Sequence, residues 1–98
     1  MSFVAITKVK FPNELKSKIH SVGLAMLPIA KPQPGFISIG FHQSNDRNET
    51  MMYWEWESEA NYKACMQSPD WALLMERHSV LFASDGVEFL IDTYERLA

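Results

Sequence analysis

Cysteine is almost missing from this sequence. One thiol, Cys65, in 98 residues excludes an internal disulfide framework and suits a reducing compartment. Histidine is sparse as well. His20, His42 and His78 are far apart, and none has a second ligand at helical or strand spacing, so no metal site is expected. No Gly-x-Ser-x-Gly elbow, glycine-rich phosphate loop or flavin fingerprint occurs, so the expectation is a chain without a cofactor. Positive charge is in deficit, with nine Lys and Arg against twelve Asp and Glu, which argues against nucleic acid as the main partner. No apolar run approaches the roughly 20 residues that span a bilayer. The opening MSFVAITKVK lacks the basic region and sustained apolar core of a signal peptide. These absences describe a cytoplasmic protein with no membrane association.

Large apolar side chains are abundant instead. Three Trp, three Tyr and six Phe, with 47% hydrophobic residues overall, are many for one small domain over residues 1–98. The surplus implies apolar surface buried against a partner subunit, most simply in a homodimer.

Period-two alternation marks four strands. Phe3, Ala5, Thr7 and Val9 alternate with Val4, Ile6, Lys8 and Lys10 in the first. Phe36 to Gln43 forms the second, with Ile37, Ile39 and Phe41 on one face. Met52, Trp54 and Trp56 share a face of the third, opposite Met51, Tyr53 and Glu55. Val87, Phe89 and Ile91 alternate with Glu88, Leu90 and Asp92 in the fourth. Between the first two strands, Asn13 is a candidate N-cap, and Leu15, Ile19, Val22 and Met26 share a helix face. Pro28 should end that helix near Leu27, leaving a loop from Pro28 to Gly35. After the third strand, Ser58 can cap a helix from Glu59 to about Gln67, and Ser68-Pro69 can start another.

The order strand, helix, hairpin, split helix, strand is the split βαβ of a ferredoxin-like α+β fold, a βαββαβ chain with a four-stranded antiparallel sheet. Strands flanking each helix are expected as parallel neighbours joined by right-handed crossovers. Both helical segments should lie on one face, leaving an opposite face that also carries apolar side chains.

Trp56 and Tyr62 admit two readings. Either they are core aromatics sealing the helix onto the sheet, or they line a pocket and offer polar tips to a phenolic or quinone oxygen. In the second reading Met52 and Trp54 share the Trp56 face, Cys65 follows one turn after Tyr62, and Leu74 and His78 close the far side. His78 is then either a half-buried histidine bonded to backbone or a general base facing the cavity. Cys65 by itself reads as packing, and Arg77 as a surface residue.

Trp56-Glu57-Ser58-Glu59-Ala60, then Tyr62, Ala64 and Ser68-Pro69, is similar to the signature of the antibiotic biosynthesis monooxygenase superfamily. Pro34-Gly35-Phe36-Ile37 resembles the Pro-Gly-Phe start of that family's second strand. The resemblance covers nearly the whole chain. It implies a dimeric α+β barrel formed by packing sheet on sheet. It also implies a cofactor-independent monooxygenase acting on an aromatic polyketide, anthrone or quinol-like small molecule. The family's anthrone oxygenases carry a tryptophan and a tyrosine that look like Trp56 and Tyr62, but Met52 stands where they have a pocket asparagine. The haem-degrading branch uses an Asn, a Trp and a His; those positions hold Thr7, Cys65 and Met75 here, so no iron ligand is in place. The quinol-oxidase-like and signal-processing branch often has two histidines where this chain has Cys65 and Asp70. On these residues the chain is either a monooxygenase with Trp56 and Tyr62 as donors and His78 as base, or a non-catalytic dimeric module. Such a module would bind a small aromatic ligand or serve a stress-related role.

Overall fold

The computed structural model describes residues 1–98. Four strands, β1 (Phe3–Lys10), β2 (Phe36–Gln43), β3 (Glu49–Trp56) and β4 (Glu88–Glu95), form one sheet. The helices are α1 (Lys16–Ala30), α2 (Glu59–Met66), α3 (Pro69–Arg77) and the single turn α4 (Ser79–Phe82). The sheet order is β2-β3-β1-β4, with every neighbouring pair antiparallel. The topology is ferredoxin-like, as the element order requires. One expectation is corrected. Strands flanking a helix do run parallel, but they are not neighbours: β3 lies between β1 and β2, and β1 between β3 and β4.

The helix boundaries follow local chemistry. The Asn61 and Trp71 amides donate to the hydroxyls of Ser58 and Ser68, at 3.2 and 3.3 Å, so both serine caps form. Asn13 does not cap. It opens a 3-10 turn, Asn13–Leu15, that is closed by the Leu15 amide donating to the Pro12 carbonyl at 2.9 Å. Pro28 does not end α1 either. It forgoes one amide donor, yet the next turn still closes through Lys31 N–H to Leu27 O at 3.0 Å. That turn is worth keeping, because Ala30 is fully buried and Leu27 and Ile29 pack on the core. The loop therefore shortens to residues 31–35.

The helix side of the sheet holds the core, a cluster of Ala5, Ala30, Met52, Trp54, Trp56, Cys65 and Trp71. The alternation expected for β3 is observed, with Met52, Trp54 and Trp56 all buried. In β2 a bulge falls between Phe36 and Ser38. An extra residue resets the alternation, so Phe36 joins Ile39 and Phe41 on the helix side, and Ile37 turns to the exposed side. Gly35, with φ +79°, makes the reversal before β2 possible; a Cβ there would also strike the Asn61 side chain at 2.2 Å.

No element of the chain covers the opposite face. Val4 and Ile6 of β1, Met51, Tyr53 and Glu55 of β3, and Leu90 and Tyr94 of β4 point there by alternation. Glu55 is nevertheless only 4% exposed. It accepts hydrogen bonds from Ser2, from Tyr53 at 3.2 Å and from Arg96 at 3.0 Å, which ties both ends of the chain to the end of the inner strand β3. The Ser2 hydrogen bond, with the hydrogen bond and charge of Arg96 and the Tyr53 hydroxyl, holds its carboxyl below the usual glutamate range against the opposing effect of burial.

Candidate functional site

A cavity of about 340 Å³ lies between the helix side of the sheet and the helices. Its cause is visible in the cross-strand pairs. At one end Trp56 faces Phe3 on β1 and Phe36 on β2, and these large rings fill the layer. One pleat on, Trp54 faces Ala5, and then Met52 faces Thr7. Small residues on β1, with Gly23 on the facing stripe of α1, leave space that the helices do not fill.

The sheet contributes Thr7, Met52 and Trp54 to the wall. Tyr62 and Met66 come from α2, and Trp71 and Met75, one turn apart, from α3. Phe89 and Ile91 of β4 also line it, yet they are 43% and 58% exposed, so the cavity opens beside this edge strand. Fourteen of the seventeen lining residues are hydrophobic, and none is Asp, Glu, Lys, Arg or His. Four of the chain's six methionines, Met26, Met52, Met66 and Met75, are among them. Flexible, polarizable thioethers suit a wall that adapts to a ring-shaped ligand.

Polar capacity is small and assignable. The Trp54 indole N–H donates to the Thr7 hydroxyl at 3.2 Å, so that donor is already used, while the Thr7 hydroxyl hydrogen stays available. Tyr62 is the one ionisable side chain on the wall. Burial, and then the neighbouring Cys65, raise its pKa above the ordinary 10.0. Tyr62 is therefore a protonated donor at neutral pH and not a base.

The structure separates the residues singled out from sequence. Met52, Trp54 and Tyr62 come together on the cavity wall. Trp56 does not. It is fully buried, with the Phe36 and Tyr62 rings edge-on at 5.6 and 6.5 Å, and no void separates it from Tyr62. Its core reading stands, and its Nε1 has no hydrogen-bond partner. Cys65 is sealed in the core off the cavity, its thiol pushed up to about 11 by burial. Leu74 is buried but off the wall. His78 is the clearest correction. The helix breaks at this residue, which has φ −110° and ψ 17°. It lines a surface depression with Ser17, Lys18, Ser21 and Leu81 instead of the cavity. Within the unbroken part of α3, Trp71 and Met75 rather than Leu74 face the space. Thr7, Gly23, Phe41 and Met66 belong to the wall and were not assigned from sequence; the small residues opposite Met52 and Trp54 were the signal for them.

No three His, Cys, Asp or Glu side chains come together to hold a metal ion, and no helix is long and apolar enough to cross a membrane. Residues 2–77 match the family model described as antibiotic biosynthesis monooxygenase. No curated protein matches the sequence. Solved structures share the fold at low identity. Rv0793 from Mycobacterium tuberculosis aligns with TM-score 0.85 and 14% identity, over 100% of this chain and 97% of that one. PA3566 from Pseudomonas aeruginosa aligns with TM-score 0.82 and 13% identity, over 99% and 95%. SnoaB, a cofactor-independent oxygenase from Streptomyces nogalater, aligns with TM-score 0.81 and 10% identity, over 99% and 94%.

Proposed function

The chain belongs to the antibiotic biosynthesis monooxygenase family, and from that premise we propose that it is a cofactor-independent monooxygenase of an electron-rich aromatic polyketide, anthrone or quinol-like molecule. The observation that carries the reading is the apolar cavity with Tyr62 as its single ionisable side chain. A neutral fused-ring molecule suits such a wall, whereas a fixed charge would lose solvation without gaining a partner. An anthrone would react as its own reductant. Its methylene carbon loses two hydrogens and gains one atom of dioxygen as a carbonyl oxygen; the other atom leaves as water with those two hydrogens. The protein's part is to hold the ring in a dry site and to donate a hydrogen bond from Tyr62 to the oxyanion formed on deprotonation. The first proton leaves to water at the mouth beside Phe89 and Ile91.

Oxygen uptake by chelator-treated protein, with anthrones and hydroquinones as substrates, tests this. Uptake of one dioxygen per anthrone consumed, with a pH dependence set by the substrate's own ionisation, is expected. Uptake no faster than in buffer would sink the proposal. One observation favours a second reading, a non-catalytic binder of small aromatic molecules: no side chain on the wall can serve as a base at neutral pH. Tight binding without oxygen uptake would decide for it.

The proposal includes a cytoplasmic homodimer joined through the uncovered sheet face. The exposed Ile37, Leu90 and Tyr94 side chains support it, and an obligate interface buries upwards of about 2,000 Å². A stable folded monomer in sedimentation at micromolar concentration would contradict it.

A further inference from the structure

We propose that Gly23 and Phe41 together set the size of ring system the cavity accepts; this rests on the reading that the cavity takes an aromatic molecule. Phe41 reaches from β2 toward α1, and both it and Gly23 line the cavity. The tip of the ring sits in the notch left by the missing side chain. A Cβ built on Gly23 would lie 2.2 Å from Phe41 Cζ and 2.5 and 2.6 Å from its two Cε atoms. No carbon pair tolerates that approach, so any residue with a Cβ at position 23 displaces the ring, the movable partner.

The direction of displacement is fixed by what stands beside the ring. His20, one turn earlier on α1, presents its ring edge-on to Phe41 at 6.0 Å. His20 is itself braced. The Gln43 amide nitrogen donates to the Ser44 and Arg47 carbonyls at 3.0 and 2.9 Å. That leaves Gln43 Oε1 to accept from His20 Nε2 at 2.7 Å. The hairpin turn thus holds the histidine, and the histidine blocks one side of the phenylalanine. The open side is the cavity. A side chain at position 23 therefore drives the Phe41 ring into the space a ligand would use, and a smaller side chain at position 41 lengthens that space. His20 and Gln43 act as positioning residues for this wall.

The test is binding, measured by calorimetry with naphthol, anthrone and the four-ring tetracenone as probes. A hydrophobic pocket typically discriminates a small change in fit by about tenfold or more. Gly23→Ala is expected to weaken anthrone by at least about tenfold relative to naphthol. Alanine is the better helix former, so a loss would not come from the helix itself. Phe41→Leu is expected to strengthen tetracenone relative to naphthol. The double variant Gly23→Ala/Phe41→Leu should restore the wild-type preference for anthrone over naphthol, because the new methyl fills what the ring vacated. Equal weakening of all three probes, failure of the double variant to restore the order, or no binding of any probe to the wild type would each overturn the proposal. If Gly23→Ala does not fold, the Phe41→Leu arm decides alone. Binding with this size order in a protein that consumes no oxygen would refute the monooxygenase reading and leave the size determinant standing.

Discussion

Trp54 and Trp56 share one face of β3, yet replacing each by phenylalanine should have different consequences. Both rings are buried, at 2% and 0% exposure, so each loses the same apolar atoms, about 2 kcal/mol of burial. At position 54 a hydrogen bond also goes, the 3.2 Å contact from Nε1 to the Thr7 hydroxyl, which adds about 1 kcal/mol. At position 56 the lost N–H had no partner. Removing a buried unsatisfied donor returns about 1–3 kcal/mol, which offsets most of the lost packing. Trp56→Phe should therefore fold nearly as stably as the wild type, and Trp54→Phe should be less stable by about 3 kcal/mol. Urea unfolding at one protein concentration measures the gap as a shift in midpoint at unchanged slope. Anthrone affinity supplies the second readout, since Trp54 lines the cavity and Trp56 does not. Equal destabilisation by the two substitutions, or loss of affinity in Trp56→Phe with affinity kept in Trp54→Phe, would refute the division of labour between core and site.

Three other outcomes can be checked. The Tyr62 hydroxyl has no protein partner, so Tyr62→Phe should shift stability by less than about 1 kcal/mol while slowing oxygen uptake; a large fall in thermal midpoint would show that the hydroxyl is structural. Glu55 has a lowered carboxyl pKa when folded, so its contribution is present above the ordinary 4.5 and disappears as pH falls through the folded value. The stability gap between wild type and Glu55→Gln should then narrow as the pH is lowered from 7 to below 4.5, and a gap that stays unchanged down to the acid unfolding of the protein would count against the Ser2, Tyr53 and Arg96 contacts. Ser58→Ala and Ser68→Ala should each cost about 1 kcal/mol in chemical unfolding, and no measurable loss at either position would mean its cap contributes nothing.

The strands were legible because alternation of apolar and polar residues reports directly which side of a sheet is buried. Both serine caps were legible because a hydroxyl before a helical run has one local use. Less legible were features decided by contacts between distant segments. The apolar contacts of Leu27, Ile29 and Ala30 carry α1 past Pro28, against the local preference. A bulge exchanges Phe36 for Ile37 on the helix side, and nothing in the Phe36-Ile37-Ser38 run announces it. The break at His78 turns that side chain away from the cavity, although helical spacing alone would keep it on the stripe of Trp71 and Met75. The position of the cavity depends on Ala5, Thr7 and Gly23, small residues opposite large ones across strand and helix pairings. Trp56 and Tyr62 drew attention as a polar-tipped pair. The space opens one pleat away, at Trp54, because Phe3 and Phe36 already fill the layer around Trp56.

The most direct measurement is a crystal structure of the protein soaked with anthrone under anaerobic conditions. Ring density is expected in the cavity, against the wall formed by the packed Trp54 and Trp71 rings and bounded by Met66 and Met75, with the ligand oxygen within hydrogen-bond reach of the Tyr62 hydroxyl. Density on the uncovered sheet face, or an empty cavity at saturating anthrone, would contradict it.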